Sequence, residues 1–143
     1  VSSTAVDTSV LIAALCTWHE AHVASLRALG AAERGGEMIV PVPALLESYA
    51  VMTRLPSPHR LAPEDAHRIL SRSLEGRATV VGLSGAETWR LLRESASGGV
   101  AGGSTYDAAI LACARRAGAD RVLTLDRRDF VRLAPEGLEI VVP

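Results

Sequence analysis

Short apolar runs alternate along the chain with longer segments in which apolar residues recur every three or four positions. The runs at Thr4–Asp7, Glu37–Val40, Ala78–Leu83, Arg121–Leu125 and Leu138–Val142 are brief and rich in Val, Ile or Leu. Strands covered on both faces have this character, so five strands of a mainly parallel sheet are expected there. Helical spacing fills the gaps. Thr8–Cys16 follows the first run, and His19–Glu33 carries Val23, Leu26 and Leu29 before stopping at Gly35–Gly36. Pro43 opens the next helix, where its missing N–H costs nothing. Ala62–Leu74 begins with Pro63, Glu64 and Asp65, a helix-start signature. Gly85–Ser95 and Ser104–Ala117 are the last long helices, with Gly118 placed as a C-cap. The Pro-rich stretch Leu55–Pro63 and the Gly-rich stretch Gly98–Gly103 read as loops, too short to link domains. The alternation predicts an α/β sandwich with helices on both faces of the sheet.

Composition narrows the picture. A chain of 143 residues fits one domain spanning 1–143. Hydrophobic residues make up 48% but aromatics only 3%, so the core must be aliphatic. No stretch approaches the roughly 18 apolar residues of a membrane span, and no basic-then-apolar start suggests a secretory signal. Cys16 and Cys113 stand alone in apolar helical segments and read as small buried hydrophobes, which suits a reducing cytoplasm. The net charge of −1 gives the whole molecule no strong attraction for nucleic acid. All 15 cationic residues are Arg. The lack of Lys excludes a Walker phosphate loop and argues against a receiver-like or phosphatase-like phosphoryl-transfer protein, both of which normally place a Lys beside the phosphoryl group.

Four acids interrupt patterns that should stay apolar. Asp7 and Asp126 end the first and fourth predicted strands, and ligands of an open parallel sheet bind beyond the carboxyl ends of its strands. Each also suits a cap or turn. Glu47 has Pro43, Ala44, Ala50 and Val51 as its helical neighbours, an apolar face on which an unpaired carboxylate is costly. Asp107 shares its face with Ile110, Leu111 and Ala114, although Ser104 and Asp107 also resemble a capping box. In the expected fold, two acids at strand ends and two on helices converge only at the carboxyl edge. Clustered carboxylates repel, and hard divalent cations such as Mg²⁺ or Mn²⁺ are their natural compensation.

Together these segments resemble the PIN-domain family, most closely its VapC-type toxin branch. The resemblance rests on VDTSVLIAAL, PALLESYAVMTRLP, STYDAAILACARRAGADRVLTLDRRDF and the closing strand, in the expected order. It implies a PIN-like three-layer sandwich with sheet order 3-2-1-4-5. It also implies metal-assisted hydrolysis of RNA phosphodiesters with one or two Mg²⁺ or Mn²⁺ ions, a homodimer, and neutralisation by a small cognate antitoxin. By position, Asp7, Glu47, Asp107 and Asp126 match the family's four acids. Thr124 matches the hydroxyl residue two places before the fourth, Ser9 a small polar residue that supports the first, and Asp129 a possible auxiliary acid. A catalytically silent binding module on the same fold is the other reading, and the four intact acids argue against it.

RNA needs positive charge near such a site. Arg115, Arg116, Arg121, Arg127, Arg128 and Arg132 cluster late in the chain, and Arg54 follows the Glu47 helix. The first pair also suits a helix C-terminus, where cations are favoured. Arg115, Arg116, Arg127 and Arg128 are the candidate RNA contacts. The sequence has no aromatic-rich stripe, so recognition is expected through RNA shape and backbone. His19 and His22 lack the spacing of a zinc signature.

Overall fold

The computed structural model describes residues 2–143. Five strands pair in the order β3-β2-β1-β4-β5, all parallel. They are β1 (Ser2–Val6), β2 (Gly36–Pro41), β3 (Thr79–Val81), β4 (Arg121–Leu123) and β5 (Glu139–Val141). Ala5 pairs with Ile39 on one side and Val122 on the other, and all three are fully buried. The sheet is therefore the expected one in membership, order and direction. Its strands differ from the sequence reading by a few residues at their ends.

Seven helices cover the sheet: α1 (Thr8–Leu15), α2 (His22–Gly35), α3 (Val42–Arg54), α4 (Pro63–Leu74), α5 (Gly85–Ser97), α6 (Ser104–Arg116) and α7 (Arg127–Leu133). Helix α1 is apolar almost all round and buries Val10, Leu11, Ile12, Ala13 and Ala14. Such a helix is stable only when covered by other elements. It packs against α2 and α3. Gly118 follows α6 with φ +71°, and Ala119 N–H reaches back to Ala114 O at 3.0 Å. This left-handed turn aims the chain into β4.

Three expectations are corrected. Helix α2 starts at His22, not His19, because the His19 ring accepts the Ala21 N–H at 3.0 Å and holds that stretch as a turn. Ser104 and Asp107 form no capping box; Gly103 occupies the N-cap position and no side chain caps α6. Helix α7 was not anticipated, because it has seven residues and one fully buried anchor, Phe130.

Strand order explains where a ligand can sit. From β1 the chain steps outward to β2 and β3, then returns to the other side of β1 for β4 and β5. The crevice beyond the carboxyl ends of β1 and β4 is the topological switch point, the usual ligand position in such sheets. Asp7 follows β1, and Thr124 and Asp126 follow β4.

Leu11 is fully buried, whereas Val80 on the edge strand β3 is 46% exposed. Leu11→Ala should lower stability by about 2–5 kcal/mol. Val80→Ala should change it by less than about 0.5 kcal/mol. Urea unfolding of the two variants checks the difference.

Candidate active site

Asp7 joins β1 to α1. Its Oδ1 accepts the Val10 N–H at 3.1 Å and so caps α1. Ser9 Oγ donates to the same oxygen at 2.7 Å, and Thr124 Oγ1 donates to Oδ2 at 2.6 Å. Each hydroxyl also accepts a backbone N–H from the segment after β4. Leu125 N–H reaches Ser9 Oγ and Asp126 N–H reaches Thr124 Oγ1, both at 2.9 Å. Two relays therefore lock the β4 exit onto one carboxylate. Asp7 is 4% exposed. Burial raises its pKa above the ordinary 3.8, against the opposing pull of Thr124, Ser9 and the Val10 amide. The cap and strand-end readings of Asp7 thus describe one and the same residue.

Above Asp7 lies a cavity of about 310 Å³ bordered by Asp7, Glu47, Asp107 and Asp126. Asp107 stands half-buried in the first turn of α6. Asp126 is exposed and caps α7, accepting the Asp129 N–H at 3.3 Å. One carboxylate oxygen each from Asp107, Asp126 and Asp129 lies within 4.8 Å of the others. The Asp107 carboxyl is pushed up to about 6, first by burial and then by Asp126, Asp7, Asp129 and Glu47. All four acidic neighbours repel its charge. Neither Arg nor any other permanently cationic side chain borders this cavity. Asp129 has partial relief from Arg132 at 3.7 Å.

The candidate RNA contacts lie elsewhere. Arg115 and Arg116 border a larger cavity, about 500 Å³, between α5 and α6. Arg116 pairs with Glu87 at 3.0 Å and donates to Gly82 O at 2.8 Å, a clamp between α6 and the β3–α5 turn. Arg127 donates to Ile140 O at 3.3 Å, and Arg128 is exposed on α7. The larger cavity holds no comparable cluster of acids, so volume alone does not mark the chemistry.

Two residues on the acidic cavity escaped the sequence reading, Thr8 and His19. Thr8 Oγ1 is buried and has no hydrogen-bond partner. Its position directly after Asp7 was the one available signal. His19 and His22 do not share a face. His22 Nδ1 instead pairs with Ala13 O at 2.9 Å, a structural contact.

Thr124 is fully buried and bonds Asp7. Thr124→Val removes the donor while keeping the shape, and should lower stability near pH 8 by about 1–3 kcal/mol. The lost bond stabilises ionised Asp7, whose folded-state pKa is raised. The cost should therefore shrink when the pH is lowered from there to below that raised value, where the carboxyl is neutral. Urea unfolding at both pH values reads the difference.

Comparison with known proteins places this arrangement. The PIN domain matches residues 4–135. The chain is 42% identical over 122 residues to Ribonuclease VapC40 of Mycobacterium tuberculosis, covering 85% of each protein. Among solved structures it resembles Mycobacterium tuberculosis VapC20, a sarcin-ricin loop cleaving toxin, with TM-score 0.73 and 16% identity over 93% of this chain and 97% of that one. It also resembles DNA-bound VapBC of Salmonella typhimurium, with TM-score 0.67 and 22% identity over 99% and 98% of the two chains. With its parallel 3-2-1-4-5 sheet and the acids at its switch point, the chain belongs to the PIN-domain family.

Proposed function

We propose that this protein is a divalent-metal-dependent endoribonuclease that acts in the cytoplasm as the toxin of a toxin–antitoxin pair. One observation carries the reading: acids from β1, α3, α6 and the β4 exit meet in one cavity that no Arg borders. The relative at 42% identity, named a ribonuclease, supports it.

The residues fit a hard cation. The cavity offers carboxylate oxygens and an Asp107 whose charge is resisted by every acid around it. Asp7, Glu47, Asp107 and Asp126 would hold one or two Mg²⁺ or Mn²⁺ ions, and Asp129 is close enough to Asp107 and Asp126 to join them. Such an ion activates water and offsets charge on a phosphodiester oxygen.

The protein's own part is positioning. Ser9, Thr124 and the Val10 amide fix the Asp7 carboxylate from both oxygens, so it enters the reaction with little freedom to lose. Through the same hydroxyls they set the Leu125–Asp126 backbone. Arg128, exposed on α7 beside Asp126, is better placed for the RNA backbone than Arg127, whose guanidinium donates to Ile140 O, or Arg115 and Arg116, which face another cavity.

The family resemblance adds a small cognate antitoxin and a homodimer to this proposal. Sedimentation of the protein alone, and with the product of an adjacent small gene, tests both partners. Among the described residues, no helix is long and apolar enough to cross a membrane.

RNA cleavage should require Mg²⁺ or Mn²⁺ and stop with EDTA. Asp107→Asn should lower cleavage at least about 100-fold. It removes no cap, and its metal-free stability should match or exceed that of the parent. The pH dependence follows from the raised Asp107 value of about 6 against 3.8. Ionising this carboxyl costs more in the folded state. The penalty is absent below the unfolded value, grows as pH rises between the two, and is complete above the folded value. The variant's advantage should follow that course in EDTA and vanish when Mg²⁺ stabilises the parent. Thermal unfolding beside a cleavage assay checks this. Cleavage by metal-free protein, or by the Asn variant at the parental rate, contradicts the proposal.

A further inference from the structure

Folding assembles an aromatic cluster that no row in the sequence announces. Trp18 follows α1, and His59 lies in the loop between α3 and α4. Their rings stack, with centroids 4.3 Å apart and planes 25° apart. The His19 ring lies 5.7 Å from that of Trp18. His19 also borders the acidic cavity. The stack therefore begins where the cavity ends.

The chain has only five Phe, Trp and Tyr residues, and its core is built from aliphatic side chains. Trp18 is not a core residue. It is 44% exposed, and His59 is exposed as well. Holding the α3–α4 loop does not require the stack. The loop is already tied by His59 N–H to Pro56 O and Leu61 N–H to Met52 O, both at 3.0 Å, and by Arg60 Nε to Leu55 O at 2.8 Å. Two accessible rings in parallel present what an unpaired base needs, a flat polarisable surface that any base can extend. His19 adds direction. Its Nδ1 accepts the Ala21 N–H at 3.0 Å, which puts the proton of the neutral ring on Nε2 and frees that N–H to donate.

We propose that Trp18 and His59 form a base-stacking subsite for an unpaired nucleotide next to the scissile phosphate, with His19 Nε2–H donating to the strand's backbone at the cavity mouth. This rests on the RNA-cleavage reading above. It makes the substrate RNA single-stranded at the cut, as in a loop or bulge, since a paired base offers no free face.

The test uses the full chain carrying Asp107→Asn, which spares the RNA, and Trp89→Phe, which leaves Trp18 as the only tryptophan. The probes are a short oligoadenylate, the same backbone with abasic sites, and a perfectly paired RNA duplex. Oligoadenylate should quench Trp18 fluorescence saturably, while the duplex and the abasic strand should not. Read by the anisotropy of end-labelled RNA, adding Trp18→Ala should weaken oligoadenylate binding roughly tenfold, as loss of one stacked base does. It should leave abasic binding unchanged, a contrast that a folding defect cannot produce. In a separate background that keeps Trp89, Trp18→Phe should hold binding within about threefold of the parent, because stacking survives. RNA that binds without quenching, or that binds the Ala variant as tightly as the parent, overturns the subsite, as does failure to bind oligoadenylate at all. Cleavage by the wild-type protein is measured separately. Quenching without cleavage sinks the nuclease reading and leaves Trp18 and His59 only a base-binding site, not one beside a scissile phosphate; cleavage without quenching sustains the nuclease and overturns the subsite.

Discussion

A single buried carboxylate ties the top of this fold together. Asp7 caps α1, and its Ser9 and Thr124 partners each bind the backbone leaving β4. The contacts cross the switch point, where the parallel order brings two strands together that are far apart in sequence. Asp126 and Asp129 are positioned from this knot, and Asp107 stands beside them. The β4 exit carries Asp126, the α7 that Asp126 caps carries Asp129, and Asp107 rises beside them from α6. Desolvating a carboxylate is expensive, and hydrogen bonds from three donors offset the cost only in part.

Around that knot the protein accumulates charge of one sign, with Arg132 beside Asp129 as a partial offset at its rim. Arg is plentiful in the sequence, yet Arg116 is committed to Glu87 and Gly82 and Arg127 to Ile140. A fold selected for stability alone would have brought one of them to Asp107. On the proposed function, the place left open beside Asp107 is one that a cation, and with it a phosphate, would take. This conflict between metal-free stability and function is the physical content of the site. It explains why one substitution, Asp107→Asn, is expected to move the two in opposite directions.

The sheet was legible because the carboxyl-terminal parts of β1, β2 and β4 are buried and written in apolar residues, Ala5–Val6, Met38–Val40 and Val122–Leu123. Their order came from the family resemblance; the four acids stood out by pattern, Asp7 and Asp126 at strand ends and Glu47 and Asp107 on apolar helix faces, and the resemblance matched them to the family's acids. What stayed hidden depends on geometry that periodicity does not encode. Helix α7 is too short to show a repeating face. His19 was taken into a helix because a turn held by its own side chain leaves no mark on apolar spacing. The Trp18–His59 stack joins two loops that only the tertiary fold brings together. The Arg pair at the end of α6 pointed to RNA by composition, but its helix faces the α5 groove.

The central claim is that the acids converge to hold a divalent cation. Diffraction from crystals of the wild-type protein soaked in Mn²⁺, recorded where manganese scatters anomalously, tests it most directly. The account predicts an anomalous peak inside the cavity, with oxygens of Asp7 and Asp107 within about 2.5 Å of it. A protein that cleaves RNA in the same Mn²⁺ buffer, yet shows no peak among these carboxylates, would contradict it.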